Sequence, residues 1–255
     1  MQLRDVGIEK GDTIIVHTSL KSFGWLVSGS RSVITALCKA VGDKGNIVMP
    51  SQTPELSDPK TWTEDPEPQE DWESIENKTL GYSERLTPVI GQSCVAEAFR
   101  HYPNVLRSNH PLDSFCAWGE KASWIVKSNA YDFPFGDEGV LGKLYSLGAK
   151  IVLIGTDFET NTSLHLAETR VNKEIKIVKE TAPVETGTLL LPCSEKIQFN
   201  NIELDTFDFS KIESAYLQVP GVEKKVELPK GSLRVFDMRN CVKFAENEMK
   251  NEVYK

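Results

Sequence analysis

The chain has 255 residues, 40% of them hydrophobic and 26% charged, the composition of an ordinary globular protein long enough to bury a full core as one unit. A formal net charge of −8 argues against nucleic acid and anionic membrane as partners, because both need a basic surface. No apolar run approaches the roughly 18 residues of a bilayer span, and the opening MQLRDVGIEKGD has no apolar stretch like a signal peptide's, so a cytoplasmic location is expected.

DTIIVHTSL, near the start, is a β-rich run whose polar end at His17, Thr18 and Ser19 opens into a loop, and it reads as a buried strand. In RSVITALCKAV the residues Val33, Ile34, Leu37, Cys38 and Val41 share one helical face. GDKG breaks that helix, and NIVMPSQT follows as a second strand, giving a strand-helix-strand unit that favours a parallel pair. From Pro54 to Pro68 the chain has no periodicity and reads as a long surface loop.

Acidic residues gather here. Between Glu55 and Glu76 nine carboxylates face one lysine, so this segment alone sums to −8. Further on, GQSCVAEAFRHYP reads as a helix, RSNHPLDSFCAWGEKASWIV starts as a loop and ends as strand or helix, and GVLGKLYSLGAKIVLIGTD reads as helix, turn and strand. Beyond about Lys173 short β-like runs take over, ending in the helix CVKFAENEMKNEV.

The expected fold is therefore α/β: a central mixed, largely parallel sheet flanked by helices, with a smaller β-rich C-terminal portion. Residues 1–255 form one domain in this reading, with 1–172 as the α/β core and 173–255 as an annex. A site is expected in a cleft beside the strand ends after Val16, Met49 and Ile154, where open α/β sheets bind ligands.

Three features carry chemistry, each with a plain alternative. In NTSLHLAETR, His165 and Glu168 lie one helical turn apart just past a strand, where a histidine oriented by a carboxylate can act as a general base. They could equally be a loop-bonding histidine and a solvated glutamate. A metal site is not expected, since no further ligands cluster with them.

The loop HTSLKSFGWLVSGS runs from a strand end to a helix start, a place for a pyrophosphate, yet it matches neither common phosphate-binding glycine pattern and could be an ordinary connection. The acidic segment could be a solvated loop, or a wall for a polycation in which carboxylates alternate with Trp62 and Trp72. Cys38, Cys94, Cys116, Cys193 and Cys241 are odd in number and scattered, so neither a disulfide framework nor a zinc ribbon is expected.

GDTIIVHTSLKSFGW, VITALCKAVGDKGNIVMPSQTPELSDPKTW, RSNHPLDSF, LGKLYSLGAKIVLIG and above all NTSLHLAE resemble the aminoglycoside 3-N-acetyltransferase family, from about Leu3 to Arg170 and more loosely through RVFDM and CVKFAE. The resemblance implies acetyl transfer from acetyl-coenzyme A to the 3-amino group of an aminoglycoside, and with it antibiotic resistance, by direct attack of the amine on the thioester without a covalent acyl-enzyme. His165 would be the base and Glu168 its partner or a holder of a substrate ammonium. His17, Ser19, Leu20, Lys21, Ser22, Gly24 and Trp25 would contact the coenzyme, and His110, Ser114 and Phe115 would line its pantetheine or thioester end. Glu64, Asp65, Trp72 and Glu73 would meet the cationic acceptor. A homodimer is compatible with this reading.

The chain departs from the family pattern at three places. Ser28-Gly29 stands where members commonly have two glycines, TPVIGQS replaces a TPTRGMG-like segment on the acceptor side, and Gly139-Val140 stands where Ser-Pro is usual. Competing readings are an acyl-coenzyme A-dependent transferase of the same fold acting on another amine, a noncatalytic binding protein for cationic ligands, and a hydrolase using Ser19 or Cys116.

Overall fold

The computed structural model describes residues 3–62, 66–127, 131–187 and 193–253. In chain order the first half carries strand β1 (Thr13–Thr18), helix α1 (Ser30–Val41), β2 (Asn46–Pro50), α2 (Trp72–Lys78), α3 (Cys94–Arg100), β3 (Leu106–Arg107), β4 (Phe115–Gly119) and α4 (Ala122–Val126). The second half carries α5 (Val140–Leu147), β5 (Lys150–Ile154), α6 (Leu164–Asn172), β6 (Ile177–Glu185), β7 (Ser194–Ile202), α7 (Phe209–Tyr216), β8 (Glu223–Leu228), β9 (Gly231–Asp237) and α8 (Met238–Val253).

β1 is buried along its whole length, as its unbroken apolar run requires of a central strand covered on both faces. Alternation along the strands then sorts side chains between two cores. Ile14 and Val16 of β1, with Ile47, Met49, Val152 and Ile154, pack towards α1 and α3. Ile15, with Val48, Ile151 and Leu153, packs towards α5, α6 and α8. By the same parity His17 belongs on the α6 side and Thr18 on the α3 side. Thr18 confirms this, because its Oγ1 lies 2.5 Å from Oγ of Ser93, the N-cap of α3.

Seven strands form the main sheet in the order β3-β4-β2-β1-β5-β9-β8. It is mixed, as expected, but parallel pairing is confined to β2-β1-β5, and both flanks are antiparallel. The parallel share is thus smaller than the strand-helix-strand reading implied. α1 joins the parallel neighbours β1 and β2, whereas β8 returns directly into β9 as a hairpin.

The β-rich C-terminal stretch also differs from an annex. β9 pairs with β5, and α8 packs its Met238, Cys241, Val242, Ala245 and Met249 into the core on the α6 side. Only the β6-β7 ribbon stands apart as a second sheet. It is tied to the body through Tyr82, whose N–H donates to Pro183 O at 2.8 Å and whose carbonyl accepts from Glu185 N at 3.0 Å.

The stretch after Pro54 is not featureless: 3-10 turns at Pro54–Leu56, Pro59–Thr61 and Gln69–Asp71 lead into α2. All five cysteines are free.

Candidate active site

A cavity of about 290 Å³ opens beside the ends of β1, β2 and β5. Its lining includes Val16, His17 and Thr18 from β1, Pro50 at the end of β2, Gln52 just after it, Thr156 after β5, and His165 from α6. This is the place expected from the strand ends, and the two candidate histidines of β1 and α6 meet in it.

α6 begins one residue before His165. Asn161 Oδ1 accepts from Ser163 N at 3.2 Å and shapes the turn that starts the helix. His165 Nδ1 lies 2.8 Å from Glu168 Oε2. Glu168 is fully buried, and its other oxygen, Oε1, accepts from both the N–H and the hydroxyl of Thr206 at 2.8 Å each. Burial alone would push this carboxyl up, but the hydrogen bonds and charge of His165 and the two donors of Thr206 outweigh it and hold it below the usual glutamate range.

The imidazole is also fixed in plane. Phe135 stacks on it with ring centroids 5.0 Å apart and 23° between planes, and Phe209 flanks it at 5.2 Å. With Nδ1 committed to Glu168, Nε2 is the nitrogen left for a ligand in the cavity.

His17 differs. It is 8% exposed, and its Nε2 is buried with no hydrogen-bond partner, as is Oγ1 of Thr156 on the neighbouring strand end. An unsatisfied buried polar group costs about 1–3 kcal/mol, so two of them beside one cavity fit a place where a ligand supplies the missing partners. Burial first, and the nearby His165 second, push the His17 ring down to about 3, so it stays neutral.

In the loop after β1, Ser22 is buried, with Oγ donating to Ser19 O at 2.8 Å, and it packs against Gly155. Leu20 packs on the α1 core, whereas Lys21, Gly24 and Trp25 face solvent, Trp25 with 86% of its surface exposed. Ser28 takes φ +60°, a left-handed conformation that suits the glycine usual there. No side chain caps the first turn of α1.

His110, Ser114 and Phe115 do not line the cavity. His110 Nε2 donates to Tyr131 O at 3.1 Å and its Nδ1 accepts from the N–H groups of Leu112 and Asp113, so both nitrogens are engaged in shaping a loop. Ser114 Oγ donates to Ser51 O and accepts from Arg107 Nε. Phe115 is core, edge-on to Phe135 and thus one ring removed from His165.

Nor does the structure bring α2 to the cavity. Trp72 Nε1 donates to Glu67 O, Glu73 is exposed, and Glu76 of the same helix pairs with Lys196 of the ribbon at 3.2 Å. Glu64 and Asp65 lie outside the described residues.

What sequence reasoning missed are partners far away in the chain. Thr206, Phe135 and Phe209 carry no local signal. Glu159 lines the cavity, with Oε1 accepting from Ser210 Oγ at 2.7 Å. Gln52 and Gln92 line it too, joined amide to amide at 2.7 Å, and Gln92 belongs to the segment that departs from the family pattern. Among the described residues no group of three His, Cys, Asp or Glu side chains is placed to hold a metal ion. No described helix is long and apolar enough to cross a membrane.

A carboxylate-held histidine thus faces a cavity at the strand ends of a mixed α/β sheet. The family profile described as aminoglycoside 3-N-acetyltransferase matches residues 15–250. The SPbeta prophage-derived aminoglycoside N(3')-acetyltransferase-like protein YokD of Bacillus subtilis (strain 168) is 37% identical over 98% of this chain and 92% of its own length. Its crystal structure superposes with a TM-score of 0.90 at 36% identity, covering 99% of this chain and 92% of that one.

Aminoglycoside N(3)-acetyltransferase VIII of Streptomyces fradiae is 32% identical over 72% of this chain and 64% of its own length. AAC-IIIb, solved as a binary complex with CoASH, matches with a TM-score of 0.82 at 22% identity over 98% of this chain and 94% of that one, a likeness that shows the fold. The chain belongs to the aminoglycoside 3-N-acetyltransferase family.

Proposed function

We propose that this protein transfers the acetyl group of acetyl-coenzyme A to the 3-amino group of an aminoglycoside, with His165 as general base. The observation that carries the reading is the 2.8 Å contact of His165 with the buried Glu168 at the wall of the cavity. The attacking amine must shed a proton as its lone pair engages the thioester, and an imidazole held in place by a carboxylate suits that task.

The ammonium gives one proton to solvent, the free amine attacks the thioester carbon directly, a second nitrogen proton passes to Nε2 of His165, and the carbon–sulfur bond breaks with that proton returned to the leaving thiolate. Holding both reactants in one cavity supplies orientation, and no acyl-enzyme is required. The uncapped first turn of α1 and the unpartnered polar atoms of His17 and Thr156 support coenzyme docking along the loop between β1 and α1. Acetyl-coenzyme A is an intracellular metabolite, which supports a cytoplasmic site of action.

A different amine is the second reading. It is favoured by the lining itself, in which Glu159 is the one carboxylate among the described residues and the Gln52–Gln92 pair is neutral. Thiol release with acetyl-coenzyme A and a panel of aminoglycosides differing at the 3-amino position, run beside His165→Ala, tests both. Turnover that needs a free 3-amino group and falls ~100-fold or more in the variant supports the first reading. Coenzyme binding with no turnover on any member would move the acceptor to another amine.

A further inference from the structure

His165 and Glu168 account for the proton, but the negative charge that builds on the thioester carbonyl oxygen needs a donor of its own. We propose that His17 is a second catalytic residue, its imidazole N–H hydrogen-bonding the thioester carbonyl oxygen as the amine attacks. This rests on the acetyl-transfer reading above.

Placement is the first argument. His17 sits at the C-terminal end of β1, on the α6 side by strand parity, and lines the same cavity as His165. Its backbone is paired in register with Leu153 of β5, so the ring is held by sheet rather than by loop. A donor held that rigidly needs no reorganisation at the moment of reaction.

The second argument is a contrast within the molecule. His110 is equally buried, and both of its nitrogens have partners. His17 Nε2 has none, so its burial is not explained by the resting hydrogen bonds of the described residues. A loop-shaping histidine looks like His110, and His17 does not.

Chemistry separates the two cavity histidines. His17 has no carboxylate beside it, and its neutral ring keeps one N–H to donate and gains nothing as a base. His165 has the carboxylate and takes the proton. In the balanced step the amine lone pair forms the N–C bond and the carbonyl π pair moves onto oxygen, where His17 meets it. The returning pair expels the thiolate, which is protonated from His165. His17 is unchanged throughout.

The test compares His17→Phe, His17→Gln and His17→Asn in the thiol-release assay, with acetyl-coenzyme A and the best aminoglycoside of the panel. Gln places an amide N–H where Nε2 lies, Asn stops short of it, and Phe keeps the ring without a donor. The expectation is a kcat lower by ~100-fold or more in Phe and Asn, with both KM values within about threefold, and recovery of at least about tenfold in Gln. Thermal melts by circular dichroism confirm that each variant folds, and if Phe does not, the Gln and Asn pair decides.

A raised KM for acetyl-coenzyme A with kcat intact would make His17 a coenzyme contact only, and Gln no better than Asn would make its role one of packing. Either overturns the proposal. Wild-type enzyme releasing no thiol with any acceptor would instead defeat the acetyl-transfer reading on which it rests.

Discussion

Glu168 is fully buried yet reaches His165 with one carboxylate oxygen and Thr206 with the other, so a single side chain joins α6 to a segment 38 residues further on. Because the carboxylate fixes the orientation and tautomer of the imidazole, Glu168→Gln should lower kcat by ~100-fold or more while the chain remains folded. Thr206→Val removes only the hydroxyl and leaves the backbone donor, so its loss should stay below about tenfold. Steady-state thiol release with circular dichroism distinguishes the two.

Acceptor binding should depend on Glu159 rather than on α2. Glu159 lines the cavity, whereas Glu73 faces solvent and is not among the lining residues. Loss of one partly exposed ion pair is worth up to about 1 kcal/mol, so Glu159→Gln should raise the acceptor KM by about fivefold and Glu73→Gln by less than about twofold. Equal effects would return the acidic segment to the binding surface.

Acid should destabilise the chain through its buried neutral histidines. Burial pushes His110 down to about 4 from the 6.5 of the unfolded chain. The unfolded state therefore binds a proton that the folded state refuses, and stability falls as pH drops from about 6.5 to about 4, by on the order of 3 kcal/mol. His110→Gln should be less stable at neutral pH, since Leu112 and Asp113 lose an acceptor, but should lose less stability between pH 7 and pH 4. Urea midpoints at the two pH values measure the difference.

Gly155, which ends β5, has φ +65°, and a Cβ there would stand 2.2 Å from Cβ of Ser22. Gly155→Ala should cost about 2–4 kcal/mol from the left-handed backbone and the overlap together. Adding Ser22→Gly removes the overlap but not the backbone strain, so the double variant should recover part of the lost Tm.

Ser28 offers the opposite case. At φ +60° a serine is strained where glycine is not, so Ser28→Gly should stabilise by about 0.5–1 kcal/mol, the relief exceeding glycine's extra chain entropy. The KM for acetyl-coenzyme A should change little, because the backbone N–H is kept.

Legibility followed range. β1, α1, β2 and the run from α5 to α6 announce themselves because their apolar residues recur within a turn or a pleat, and His165 and Glu168 fall on one face by spacing alone. Pairings set by tertiary contact left no such trace. Nothing near Thr206 marks it as the donor to Glu168, and nothing in RVFDM says that β9 lies beside β5 rather than in an annex. The acidic segment is a related case. Its charge is conspicuous, but its position depends on Glu76 meeting Lys196, a contact between helix and ribbon that composition does not encode.

β9 covers the flank of β5, and this order in the sheet bears on synthesis. Residue 154 leaves the ribosome well before residue 237, and at typical elongation rates the interval is roughly 4–17 s. Throughout it the nascent chain carries an apolar central strand with one unpaired edge, open to pairing with other chains. Thr206, the donor to Glu168, arrives within the same interval, so the His165–Glu168–Thr206 contacts and the covered sheet edge are both completed late in synthesis. Chaperone supply during those seconds, more than the stability of the finished protein, should set the yield of active enzyme.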